Sequence, residues 1–159
     1  MIKDTISFRR IESSDMEFLS EVYASTRREE LAQANWTDEA VEAFLKSQFQ
    51  MQHDYYQKVY SSAEYEIIIS NDDEIGRLYT DRRDGEIRIV DIAMLPAYRG
   101  MGYGNSILRD ILDEAAEKNI SVRIHVERNN PALSLYKRLG FYQIEDKEMY
   151  LLLEWSPSD

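Results

Sequence analysis

The chain of 159 residues contains no cysteine, which removes disulfide bridges, thiolate zinc sites and thiol nucleophiles from consideration in one step. Histidine is almost as scarce. His53 and His125 stand alone, without a second histidine or a carboxylate at ligand spacing, so a metal site is not expected. No stretch approaches the ~20 apolar residues of a membrane span, and the N-terminal segment lacks the apolar core of a signal peptide. A soluble, cytoplasmic protein without membrane contact is therefore expected. Positive charge is in short supply, with 19 lysines and arginines against 30 aspartates and glutamates and a net charge of −11. Such a chain is not expected to bind nucleic acid through a basic surface, and its acidity suits solubility or a cationic partner. No linker, repeat or low-complexity stretch divides it, and its length fits one domain over residues 1–159.

Glycine is also sparse, yet three of the six glycines fall at alternate positions in residues 91–104, DIAMLPAYRGMGYG. Gly100, Gly102 and Gly104 let the backbone take left-handed dihedrals and approach a bulky ligand closely. From Asn105 the pattern turns helical, with Ile107, Leu108, Ile111, Leu112 and Ala115 at three- and four-residue spacing and Asn119 placed to end the run. The glycine loop is thus also a helix N-terminus, whose unpaired N–H groups and positive dipole end favour an anion. Arg99 adds a fork-shaped cation suited to phosphate oxygens. Spacing excludes the dinucleotide fingerprint and the P-loop, since the run reads GxGxG followed by Asn105 and Ser106.

A second segment, NNPALSLYKRLGF over residues 129–141, reads as a short helix with Asn130 as cap, Pro131 in its first position and Gly140 at its end. It follows the alternating Val122, Ile124 and Val126 of a strand. Arg99-x-x-Gly102-x-Gly104 after one strand, then Asn129-x-x-Ala132-x-x-Leu135-Tyr136 and Gly140-Phe141 after the next, resemble the acetyl-CoA-binding motifs of the GNAT superfamily of N-acetyltransferases. The motifs cover about a third of the chain closely. They speak for the co-substrate more than for the acceptor.

The remaining periodicities are consistent with that resemblance. Residues 5–10 read as a strand, 14–34 as one helix with Phe18, Leu19, Val22 and Tyr23 on its apolar face, and 38–60 as a second helix capped by Thr37. Strands are expected over residues 64–70, 74–80, 86–95, 122–126, 141–144 and 149–155. The order βααβββαβαββ is that of the GNAT fold: an α/β (α+β) domain with a mixed sheet of about seven strands, splayed between the fourth and fifth, and about four flanking helices.

The resemblance implies an acyltransferase in which a primary amine attacks acetyl-CoA directly in a ternary complex. Backbone groups of Ile92, Ala93 and Met94 would line the pantetheine and thioester, Met94 standing where the family often has valine. Arg99, Gly100, Met101, Gly102, Tyr103 and Gly104 would hold the pyrophosphate, and Asn129 and Tyr136 from the second motif would complete the cofactor-binding set. Tyr136 takes the family's position for the acid that protonates the departing thiolate, a phenol with a pKa of ~10 being matched to a thiol near ~8.5. The base is open between Asp91, near the thioester end of its strand but on the face opposite Ile92 and Met94, and a chain of waters. A small-molecule or peptide amine is the implied acceptor, and Trp36, Tyr55, Tyr56, Tyr60, Asp54, Glu64 and Glu66 would suit a cationic one. A homodimer is compatible with all of this. Transfer of another acyl group, or a GNAT-like module that holds CoA without turnover, also fits the motifs, although retention of Asn129 and Tyr136 favours catalysis.

Overall fold

The computed structural model describes residues 6–158, so the expected strand start at Thr5 lies outside the described residues. Seven strands form one sheet in the order β1-β2-β3-β4-β5-β7-β6: β1 (Ile6–Arg10), β2 (Glu64–Ser70), β3 (Asp73–Arg83), β4 (Glu86–Met94), β5 (Ser121–Glu127), β6 (Tyr142–Lys147) and β7 (Tyr150–Trp155). All neighbours are antiparallel except β4 and β5. Five α-helices are present among the described residues: α1 (Met16–Ser25), α2 (Arg28–Leu31), α3 (Asp38–Val59), α4 (Tyr103–Lys118) and α5 (Leu133–Arg138).

Helices α1, α3, α4 and α5 cover the sheet through the faces their sequences make apolar. Ile107, Leu108, Ile111, Leu112 and Ala115 of α4 are buried against Ile87, Ile89, Val122, Ile124 and Val126, and Tyr136 and Phe141 join this core from α5 and the turn after it. On the opposite face, Leu19, Tyr23, Leu45 and Phe49 of α1 and α3 pack on Tyr65, Ile67 and Tyr79. A sheet with helices on both faces buries both sides of its central strands, which is why β3 is buried from Ile75 to Asp81.

The single helix expected over residues 14–34 is instead two. Ser25 Oγ and Thr26 Oγ1 donate to the carbonyls of Val22 and Tyr23 at 2.7 and 2.6 Å, capturing acceptors in the last turn of α1, and the chain turns before α2 begins. Two smaller differences concern helix starts. Helix α4 begins at Tyr103, because Gly102 adopts a left-handed φ of 91° and serves as its N-cap. Pro131 precedes α5 rather than opening it, while Asn130 Oδ1 accepts from the Ala132 N–H at 2.8 Å. The end of α5 follows its sequence: the amides of Gly140 and Phe141 return to the carbonyls of Lys137 and Tyr136 in the paired pattern of a Schellman cap.

Two irregularities shape the middle of the sheet. The β3–β4 register passes from Tyr79↔Asp91 to Thr80↔Ile89, so Val90 is an extra residue in β4, and the β2–β3 register shifts likewise around Ile75. Such bulges bend the strand that carries them. Between them lies Gly76 opposite Met94, where an added Cβ would stand 2.2 Å from the Ala93 carbonyl oxygen and 3.0 Å from Met94 Cα. Both contacts are to backbone, which cannot step aside without moving β4. Gly76→Ala should therefore lower unfolding stability by at least ~2 kcal/mol, read as a fall in the urea midpoint at unchanged slope.

Candidate active site

The site begins where two strands part. Parallel pairing of β4 with β5 runs from Glu86↔Ser121 to Ile89↔Ile124 and stops. Each strand nevertheless continues beside its outer partner, β4 with β3 to Met94↔Gly76 and β5 with β7 to Glu127↔Tyr150. Past Ile89, alternate backbone N–H and C=O groups of β4 thus face a gap rather than a strand. The gap opens into a cavity of about 530 Å³ whose walls include Val90, Asp91, Ile92, Ala93 and Met94 on one side and His125, Val126 and Glu127 on the other.

Beyond β4 the chain makes a short 3-10 turn over Pro96–Tyr98 and enters the glycine loop. Gly100 and Gly102 have φ of 72° and 91°, a region costly for a side chain. Gly104 differs from the sequence expectation. It lies within the first turn of α4 at an ordinary dihedral, and a Cβ there would meet nothing within 4 Å. The first N–H groups of α4 lack intrahelical partners. Tyr103 contributes its backbone only, for its ring is buried and its hydroxyl shares a 2.9 Å hydrogen bond with Ser70 Oγ. Met101 is exposed.

Arg99 is distinguished by what it touches. Its Nε donates to the Met94 carbonyl at 3.0 Å, and its Nη2 donates to Ser25 Oγ at 3.0 Å and the Ser25 carbonyl at 3.3 Å. Those oxygens are neutral. Arg9, Arg27, Arg28, Arg77, Arg82, Arg83, Arg88, Arg123 and Arg128 all sit against carboxylates. Arg99 therefore brings an uncancelled charge to the glycine loop.

Tyr136 enters from the α4/α5 side of the gap. It is 4% exposed, lines the 530 Å³ cavity and packs its ring edge-on against Phe141 at 5.6 Å. Burial, and secondarily the negative charge of Asp91, push its phenol well above the usual tyrosine range, so it keeps its proton. Asn129 follows β5, is exposed, and lines the gap near Tyr136.

Asp91 faces the other way, as strand parity leads one to expect. Its Oδ2 accepts from Arg77 Nη2 at 2.5 Å and from the Tyr56 hydroxyl at 3.3 Å. Arg77 is 3% exposed, also donates to Gln52 Oε1 at 2.8 Å, and lies over the Tyr79 ring at 5.1 Å. Burial opposes its charge, but Asp91 and the neighbouring tyrosines overcome this and the guanidinium is held ionised. Removing either member of such a pair would leave an uncompensated charge, at a cost of about 3 to 5 kcal/mol. Asp91 is accordingly a carboxylate committed to a cation.

A second cavity, of about 890 Å³, lies on the α1–α3 side of the sheet. Its walls are the exposed Phe44, Met51 and Tyr55 of α3 and Glu148, Met149 and Tyr150 at the β6–β7 turn. Tyr23, Arg27, Glu127 and Tyr56 border both cavities, marking the passage between them. Arg27, in the α1–α2 break, donates from Nη1 to Glu127 Oε2 at 3.0 Å and from Nη2 to Glu127 Oε1. That pairing holds the Glu127 carboxyl below its usual range. Both side chains are about a quarter exposed, so the pair is worth only about 1 kcal/mol.

Of the acceptor-side residues expected from sequence, Tyr55 and Tyr56 line these cavities. Trp36 packs instead on Phe44 at 5.2 Å, Tyr60 lies under Arg83, Asp54 accepts from Gln50, and Glu64 pairs with Arg82. Glu66 sits in β2 opposite Arg10 and Leu78, where burial raises its carboxyl pKa. Sequence reasoning missed Arg27, Gln52, Arg77 and Glu127. Only Glu127 left a signal, in the β5 alternation that turns Arg123, His125 and Glu127 away from the α4 core.

No helix among the described residues is long and apolar enough to cross a membrane, and no group of three histidines, aspartates and glutamates among them could hold a metal ion. Comparison with known proteins bears on the fold and motifs. Over about half of its length the chain is similar to the [ribosomal protein bS18]-alanine N-acetyltransferase of Haemophilus influenzae, with 29% identity over 84 residues, 52% of this chain and 58% of that protein. It is also similar to the thialysine N-epsilon-acetyltransferase of Mus musculus, with 32% identity over 76 residues, 46% and 45% of the two. The chain thus spans about half the length of the curated relatives it matches. The structure of PaiA N-acetyltransferase from Thermoplasma acidophilum in complex with coenzyme A superposes with a TM-score of 0.69 over 96% of this chain and 99% of that one, at 17% identity, which shows a shared fold. Finally, the family model described as "Acetyltransferase (GNAT) family" matches residues 17–141, from the start of α1 to the end of the second motif, and the chain belongs to that family.

Proposed function

We propose that the protein is an acetyl-CoA-dependent N-acetyltransferase acting on a primary amine by direct transfer, with the co-substrate in the β4–β5 gap and the acceptor reaching it from the α1–α3 cavity. The observation that carries this reading is the gap itself, a slot through the sheet with a protonated tyrosine on one face and a carboxylate-bearing cavity on the other. Named N-acetyltransferases among the relatives support it.

The residues fit a CoA-type ligand at three places. The loop from Gly100 to Gly104 offers backbone amides and open space to a pyrophosphate. Arg99 would exchange its neutral oxygen partners for phosphate oxygens, a stronger charge-assisted contact. Backbone groups of Ile92, Ala93 and Met94 on the gap side of β4 would bond the pantetheine and orient the thioester carbonyl, the Met94 carbonyl once Arg99 releases it, with Asn129 at the far wall. When bound, the thioester supplies the acyl group.

On the protein's side, the chemistry is a matter of two protons. Tyr136 holds one on the α4/α5 side and donates it toward the departing sulfur. Its raised pKa keeps it protonated through neutral pH, so the O–H is available as a donor to the sulfur as negative charge develops there. The other proton leaves the acceptor ammonium, whose pKa of ~10.4 makes deprotonation at pH 7 cost roughly 4 to 5 kcal/mol. Asp91 is poised to hold that ammonium near the gap. Its Oδ2 already accepts from Arg77 and Tyr56, and water in the open cavity carries the proton away.

The test is thiol release from acetyl-CoA across a panel of primary amines, with acetyl-CoA affinity measured separately. Arg99→Ala is expected to weaken affinity about tenfold through the lost charge-assisted contact. Tyr136→Phe is expected to lower turnover at least ~10-fold with affinity nearly intact. A descending alkaline limb in turnover due to Tyr136 should lie above pH ~10, because its pKa is displaced upward. A panel that releases no thiol while acetyl-CoA binds would instead assign a CoA-binding module.

A further inference from the structure

Arg27 occupies a place that a ligand's cation would suit. Its guanidinium is held by both oxygens of Glu127, contacts Glu30 Oε1 at 3.2 Å and lies over the Tyr23 ring at 5.9 Å. Two carboxylates and a ring face are the elements of a cation site, here filled by the protein's own side chain. Arg27, Glu30, Glu127 and Tyr23 border both cavities, so the filled site stands on the path from the acceptor cavity to the gap.

Three features make the guanidinium displaceable. It is partly exposed, as is Glu127. It is carried by the break between α1 and α2, not by a continuous helix. The same break is tied by Ser25 to Arg99 of the glycine loop, through hydrogen bonds to neutral oxygens, which an arriving phosphate would outcompete.

We propose that Arg27 is a built-in stand-in for a second cationic group of the acceptor, and that Glu127 and Glu30 form the subsite this group takes when the guanidinium moves aside. The acceptor class is then an amine carrying another positive charge, its reacting nitrogen at Asp91 and its second cation at Glu127. This rests on the acetyltransferase reading for the place of the reacting nitrogen. It makes Glu127 and Arg27 the residues that select the acceptor.

Two substitutions that break the same ion pair should act in opposite directions. Calorimetric binding of lysine amide, with two ammonium groups, and norleucine amide, with one, is compared on the protein saturated with CoA. Arg27→Gln should tighten lysine amide at least ~5-fold by removing its competitor, Glu127→Gln should weaken it at least ~5-fold, and norleucine amide should change less than about twofold. Arg27→Lys, which retains the competing charge, should resemble wild type, and Arg27→Met, which removes the charge at similar length, stands in should Arg27→Gln not fold. Shifts of the same sign in both variants would make the pair a structural latch and overturn the proposal, as would equal affinity of wild type for the two amides. Thiol release with the same amides is read separately: opposed binding shifts without thiol release leave the subsite standing and remove the acetyltransferase reading.

Discussion

The gap in the sheet and the cavity it opens into depend on β4 and β5 losing each other while keeping their outer partners. The four-rung parallel pairing ends at Ile89 and Ile124, and the extra residue Val90 immediately beyond it turns β4 with β3, while β5 runs on straight beside β7. A sheet cannot usually leave backbone groups unpaired in its middle, because each buried orphan costs free energy comparable to a lost hydrogen bond. Here the cost is limited by the cavity, which admits water or a ligand to the exposed groups. The slot is therefore a consequence of sheet geometry and would survive most changes to the side chains lining it.

The charge distribution follows the same logic. In a chain of net charge −11, the polyanionic co-substrate proposed above would be repelled at long range and would have to be held locally. Nine arginines sit against carboxylates, as with Arg82, which draws the Glu114 carboxyl down to about 2. Arg99 rests on neutral oxygens and so keeps its charge for the loop. On the far side of the sheet the balance is reversed, and two arginines occupy carboxylates that face the acceptor path, Arg77 on Asp91 and Arg27 on Glu127. The carboxylates on that side are thus already paired with cations, whereas Arg99 is not paired with an anion.

How much of this the sequence carried differs by element. The helix α4 and strand β5 were legible because their periodicities, 3.6 and 2, are set by burial against a single core. The glycine loop was legible because backbone dihedrals near 70° to 90° admit few residues besides glycine. The α1–α2 break was not, since Ser25 and Thr26 sit in phase with an uninterrupted apolar spacing and end the helix only through their own hydroxyl bonds. Bulges such as Val90 are properties of a pair of strands, invisible in either alone. Arg77 shows the limit most clearly: a charged residue in an alternating strand reads as solvent-facing, and only the packing of α3 over β3 reveals it as buried and paired with Asp91.

On the proposed function, the backbone beyond Ile89 in β4 and the first turn of α4 are the two places that receive CoA. Amide hydrogen exchange, followed residue by residue with and without saturating CoA, tests it most directly. Marked slowing confined to residues 92–94 and 101–105 is the predicted result. Slowing elsewhere, with those amides exchanging as fast as in the free protein, would contradict the account.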